Sequence, residues 1–386
     1  MKTQREVGGS RYIKEVEDCF SEPALLQKRE EVEKVMKSVL RKDISGDSAE
    51  RFIGATLHDD VANIVQTLCC RDALRRVVIP ELRALTEVLM RLALKEAETV
   101  QVSYDRHRNH DPITFGFVMA NYVGRIGDCI VELERRLIEL QGKLSGPTGA
   151  YNASSLFHSS PETFERMVLD RVHLKPAHCS PQDAPSESLV RLMHEIMFIA
   201  DVMSDIARTM EHLQRPEVGE LIDKMEGQYG ESFHFIAGLR RTIAEHLVAV
   251  RLDHGAYQTC INMVTYMARK LRRAMKRVKL DRVKISENLD VHRHSIAQNA
   301  LCVMLTALGH PHAHEKTNEL FMCAQKDGSA LDELARNDAE LHPYFEMMTV
   351  AQKMIFLYPK RLYVGCAPRH TQYVVDLWAR TLNIKL

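Results

Sequence analysis

"TFGFVMANYVGRIGDCIVELERRLIELQGKLSGPTGAYNA" occupies residues 114–153, and its two halves read differently. As far as Leu144 the apolar residues recur at three- and four-residue spacing, which marks an amphipathic helix with a wide apolar face. From Gly142 onward three glycines fall within eight residues, followed shortly by Asn152. Glycine lets backbone amides approach a ligand closely, so a helix running into such a loop places a candidate site at the end of whatever the helix builds.

Working outward, the same helical period recurs. "EPALLQKREEVEKVMKSVL", "DALRRVVIPELRALTEVLMRLALKEAETV", "SESLVRLMHEIMFIADVMSDIARTMEHL" and "YQTCINMVTYMARKLRRAMKRVKL" all carry wide apolar faces, while strand-like alternation is nearly absent. The spacing predicts an all-α fold built on a central long-helix bundle. Pro80, early in the second of these stretches, should kink the helix or mark its true start. Polar or Gly/Ser/Pro-rich breaks at "RKDISGDSAE", "LSGPTGAYNASSLFHSSPETF" and "KPAHCSPQDAPSES" divide the chain, and beyond about Lys284 the helical stretches shorten. The layout expected is an N-terminal helical hairpin (1–50), a central bundle (51–283) and a small helical C-terminal domain (284–386).

Composition narrows the function classes. Lys plus Arg number 52, as do Asp plus Glu, so no global charge draws the chain to nucleic acid or to an anionic membrane. The first 20 residues hold no apolar signal region and no run is long enough to span a bilayer. Nine scattered cysteines in a chain of 386 residues read as free buried thiols in a reducing compartment, with the cytoplasm expected.

Several clusters invite chemistry. In "SYDRHRNHDP", His107 and His110 lie near Asp105 and Asp111; a metal needs three or four ligands in fixed geometry, and a turn ahead of Pro112 suits an acid/base imidazole better and a plain surface turn best. "GHPHAHE" offers His310, His312 and His314, but reads as a turn opening a helix, with Glu315 favoured by the dipole. "ARKLRRAMKRVKLDRVK" is a basic face without interleaved aromatics, hence a solvated face first and a phosphate-holding one second. "EGQYGES", Glu226 to Ser232, has the look of a mobile catalytic loop, with "FHFIAGLRR" behind it starting an ordinary helix.

Taken together, "GSRY", "FIGATLHDDV", "HDPITFG", "GKLSGPTGAYNA", "RPEVGELIDKMEGQYGES" and the stretch from "DAELHPYF" to "YVGCAPRHTQYVV" resemble, in order, segments of the fumarase/aspartase superfamily, and within it the adenylosuccinate lyases. The glycine-rich loop is the most specific match. The resemblance covers nearly the whole chain. It implies the superfamily's long-helix bundle, a homotetramer with sites shared among three subunits, a small nucleotide-like substrate, a place in purine biosynthesis, and neither cofactor nor metal. The chemistry implied is an elimination that releases fumarate: a base takes a proton beside a carboxylate while an acid protonates the leaving nitrogen. Ser232 matches the base and His107 the acid, with Arg11, Tyr12, Thr56, Ser145 and Asn152 matching substrate-binding positions.

The chain also departs from that pattern. Read without gaps, the signature Lys falls on Ala237 and the signature Asn on Leu239. His107 stands one residue nearer Pro112 than the family spacing, which puts Arg106 at its place, and Leu57 or His58 replaces the Ser after Thr56. The linker "RKDISGDSAE" is too short to hold the family's His-Asp-Val segment. Two readings stay open: a carbon–nitrogen lyase, and a catalytically degenerate homologue that keeps the scaffold for binding or regulation.

Overall fold

In the computed structural model, residues 13–40, 46–103, 111–157, 159–177, 187–222, 229–249 and 254–386 are described. The order is α1 (Lys14–Cys19), α2 (Glu22–Leu40), α3 (Gly46–Thr56), α4 (His58–Ala73), a π turn (Leu74–Val78), α5 (Ile79–Lys95), β1 (Val100–Val102), β2 (Pro112–Thr114) and α6 (Phe115–Ile138). There follow β3 (Gln141–Gly142), a 3-10 turn (Ser154–Leu156), α7 (Pro161–Arg171), β4 (Lys175–Pro176), α8 (Glu187–Gln214), β5 (Leu221–Ile222), α9 (Tyr229–Ala249), α10 (His254–Met275) and β6 (Lys279–Leu280). The chain closes with α11 (Arg282–Val291), α12 (Arg293–Ala307), α13 (Ala313–Asp327), α14 (Leu331–Asn337), α15 (His342–Met347), α16 (Val350–Leu357), α17 (Pro359–Leu362) and α18 (Ala367–Thr381). The fold is all-α, as the periodicity predicts; among the described residues the strands form only three two-stranded ladders, β1–β2 and β5–β6 antiparallel and β3–β4 parallel.

Pro80 acts just ahead of its own position. Proline lacks the N–H that a helix interior needs, and its ring crowds the carbonyl four residues back. The chain widens by one residue in the π turn, where the Ile79 N–H reaches Leu74 O, and α5 then starts with Pro80 in its first turn.

Two compact units emerge. The first comprises residues 1–86, 125–208 and 232–274. Its core is built from helical stripes that are buried because they repeat every three or four residues: Ile126, Ile130, Leu133 and Leu137 on α6, Ile196, Ile199, Met203 and Ile206 on α8, and Ile261, Val264, Met267 and Leu271 on α10. Helix α2 packs on α4 and α7 through Val32, Met36 and Leu40. Polar ties fasten the N-terminal stretch: Ile13 N–H donates to Asn262 Oδ1 at 3.0 Å, and Arg269 bridges Glu15 and Glu81 at 2.9 and 2.8 Å.

The second unit comprises residues 87–124, 209–231 and 275–386. Its main core gathers Leu301, Leu305, Leu320, Leu331, Leu341 and Phe356 from short helices. The shorter helices have defined ends, with Gly328 ending α13 at φ +69° and a capping box of Thr349 and Gln352 opening α16. His310 is a core residue: buried, tilted against the Tyr344 ring at 4.8 Å, and accepting the His312 N–H at 3.1 Å. Arg282, from the basic stretch, pairs with Glu96 at 2.6 Å, whereas Lys270, Arg273 and Lys276 are exposed, so that stretch is part ion pair and part solvated face.

The eight cysteines among the described residues are free. Cys69, Cys70 and Cys260 are buried as expected, but Cys323 and Cys366 are exposed. No described helix is long and apolar enough to cross a membrane.

Candidate functional site

The site candidate is the glycine-rich loop, which lies wholly in the first unit. After α6 the chain enters β3, whose edge is fixed by Lys175 N–H to Leu140 O at 2.9 Å and Ala177 N–H to Gly142 O at 3.2 Å. Gly142 is closely packed: a Cβ there would meet Leu169 Cδ2 at 2.7 Å and displace that side chain.

Lys143 follows and turns inward. It is 1% exposed, and its Nζ lies 3.0 Å from Asp60 Oδ1. Asp60 stands in the first turn of α4, where the helix dipole favours an anion. Its second oxygen accepts the Gly146 N–H at 2.8 Å. Glu165, on the buried stripe of α7, works in parallel. Its Oε1 accepts the Leu144 N–H at 2.6 Å, and its Oε2 accepts the Tyr151 hydroxyl at 2.5 Å. Burial pushes the Glu165 carboxyl above its ordinary range, and nearby Asp60 adds to that, while the two donors and Lys143 pull the other way. The Tyr151 phenol is raised too, by burial and by Glu165.

These anchors hold an unusual backbone. Gly146, Gly149 and Tyr151 lie at φ +79°, +73° and +58°. The glycines accept this freely; Tyr151 does not, and is held by its N–H to Ser145 O at 3.0 Å and by its hydroxyl on Glu165. Within the loop the Gly149 N–H reaches Gly146 O at 3.1 Å, the Ala150 N–H reaches Thr148 Oγ1 at 3.3 Å, and the Thr148 hydroxyl donates to Asn152 Oδ1. Many of the loop's amides are therefore satisfied internally.

Of the residues singled out from sequence, Ser145 and Asn152 share this loop, the first buried and the second exposed. Thr56 ends α3, and Ser232 falls in the first turn of α9 rather than in an open loop; the side chains of both lie outside the described residues, as do Arg11, Tyr12 and His107 altogether. Leu57, one of the two residues replacing the family's Ser, is 1% exposed and belongs to the core. His58, the other, is exposed beside Asp59 and Arg29.

Helix α9 carries the positions that the ungapped sequence reading sets against the signature. Phe233, Ile236, Leu239 and Ile243 form a buried stripe at three- and four-residue spacing. Leu239, aligned with the signature Asn, is a core residue, while the Ala237 carbonyl, at the signature Lys position, accepts the Ser204 hydroxyl at 3.3 Å.

Sequence reasoning passed over Asp60, Lys143 and Glu165. The first two sat inside quoted motifs without being singled out. Glu165 did carry a signal: it interrupts the apolar stripe of Phe164, Val168 and Leu169, where a carboxylate has to find partners. No group of three or more His, Cys, Asp or Glu able to hold a metal occurs among the described residues.

A long-helix bundle unit carrying a braced glycine-rich loop defines the class, and comparison with known proteins gives the family. Residues 31–233 match the family described as Lyase, and the chain belongs to that family, within the fumarase/aspartase superfamily. Among relatives, adenylosuccinate lyase of Archaeoglobus fulgidus is 26% identical over 83% of this chain and 77% of its own length. Adenylosuccinate lyase of Pyrococcus abyssi is 23% identical over 76% and 70%. Among solved structures, fumarate lyase from Mesorhizobium sp. BNC1 aligns with a TM-score of 0.78 at 15% identity, covering 96% of this chain and all of that one. The 3-carboxy-cis,cis-muconate lactonizing enzyme of Pseudomonas putida gives 0.75 at 17% identity, over 96% and 98%. The structures share the fold; the adenylosuccinate lyases share the sequence similarity.

Proposed function

We propose that this chain is an adenylosuccinate lyase-like carbon–nitrogen lyase, releasing fumarate from a succinyl-amine nucleotide. The observation that carries this reading is the glycine-rich loop, Gly142 to Ala153, which is folded and braced in a chain whose relatives are adenylosuccinate lyases. In this reading Ser232 takes the proton beside the carboxylate and His107 protonates the leaving nitrogen, so the C–N bond breaks to give fumarate and a free amine. Arg11, Tyr12, Thr56, Ser145 and Asn152 hold the substrate. The working form is a homotetramer acting in purine biosynthesis in the cytoplasm, with domains at 1–50, 51–283 and 284–386.

A second reading rests on α9. With Leu239 buried in a core stripe, the segment that would hold substrate carboxylate serves as helix packing. A base without such partners cannot stabilise the dianion it creates, which favours a binding or regulatory homologue with weak or no turnover. Ultraviolet absorbance of the purified protein with adenylosuccinate separates the two. Steady fumarate release supports the lyase; none at high protein concentration supports the degenerate homologue.

A further inference from the structure

Asp60 and Glu165 come from different helices, α4 and α7, and do the same thing to the same loop. Each is about 3% exposed, and each spends one carboxylate oxygen on a loop amide, Gly146 for Asp60 and Leu144 for Glu165. Each uses its other oxygen on a loop side chain, Lys143 for Asp60 and the Tyr151 hydroxyl for Glu165. Lys143 is the only Lys or Arg between Gly142 and Phe157, so the loop's one cation is turned into the protein. A buried carboxylate is costly unless its lone pairs are filled, and here the loop fills them. The dependence is mutual: the carboxylates need the loop closed, and the closed loop needs Asp60 to hold Gly146, and Glu165 to hold Tyr151, at positive φ.

We propose that Asp60 and Glu165 are positioning residues that preset the glycine-rich loop in its ligand-receiving shape, and that Lys143 is a strut of this brace and not a ligand-binding cation. The functional part rests on the loop being part of the ligand site; the brace itself does not.

The test is amide hydrogen exchange on the full chain without ligand. Glu165→Ala should raise exchange across residues 144–151 by about tenfold or more while α8 and α10 keep their protection. Glu165→Gln, which keeps an acceptor for Leu144, should restore most of it. Tyr151→Phe, which removes one bond only, should give a smaller rise confined to the loop and serves if Glu165→Ala does not fold. Asp60→Asn should open the loop more than the double variant Asp60→Asn with Lys143→Met, because only the single variant strands a buried charge. Unchanged loop exchange in Glu165→Ala and Tyr151→Phe, or a rise spread equally over α8, overturns the proposal. So does a double variant more open than Asp60→Asn alone. If fumarate is released, Tyr151→Phe should raise KM more than it lowers kcat, and the reverse split contradicts a positioning role. Wild type that releases none, with the exchange pattern intact, removes the lyase reading and leaves the brace standing.

Discussion

At the scale of single residues, the brace makes a pH prediction. The folded-state pKa of Glu165 is raised above the ordinary 4.5, chiefly by burial, so the folded chain binds that proton more tightly than the unfolded chain. Stability from this group is then greatest at low pH and falls as pH rises from about 4.5 through the raised value. Glutamine cannot ionise. The Tm of Glu165→Gln minus that of wild type should therefore grow with pH across this window and level off above it; a difference flat with pH would show that the two donors and Lys143 cancel the effect of burial and would overturn the raised pKa. Ser232 carries a second prediction. If the chain turns over adenylosuccinate, Ser232→Ala should lose roughly a hundredfold or more in kcat with little change in Tm, since the substitution removes a hydroxyl and no hydrocarbon. Retained turnover would assign the base elsewhere.

At the scale of elements, α9 decides how much of the family's signature could be rebuilt. Its stripe of Phe233, Ile236, Leu239 and Ile243 packs inward. Leu239→Asn would restore the family's residue type at the aligned position but place an amide in a hydrocarbon site. We expect a loss of about 3 kcal/mol in urea unfolding with unchanged slope, and no gain in fumarate release. A stable and more active variant would mean that Leu239 leaves the core when the site is in use. The π turn before Pro80 makes the same point in reverse. There the element absorbs an awkward residue by widening one turn, and α5 continues without loss of its buried face.

At the scale of the whole molecule, apolar side chains on the long helices remain exposed: Val131 at 43%, Ile138 at 62% and Phe198 at 59%. In the proposed homotetramer neighbouring chains would cover these side chains. Sedimentation at micromolar concentration should give about four times the 44.1 kDa of one chain. A stable monomer would remove the homotetramer from the proposed function, and with it any site shared between subunits.

What could be read from the sequence follows from period and local chemistry. The long helices α2, α6, α8 and α10 were legible because a buried stripe must repeat every three to four residues, and the loop because three close glycines suit little else. The order of the family-like segments was legible for the same local reason. The sequence could not show that Lys143 faces Asp60, 83 positions away, or that Glu165 reaches back to Leu144. Those pairings are set by how α4, α7 and the end of α6 pack, and a charged residue looks the same in the sequence whether it meets water, a ligand or a buried partner. Nor could spacing alone tell whether Leu239 had drifted at a substrate position or been taken into a core; only the packing of α9 made it a core residue. Periodicity fixes which face of a helix is apolar, but the partner for each polar group on that face is chosen only when the helices meet.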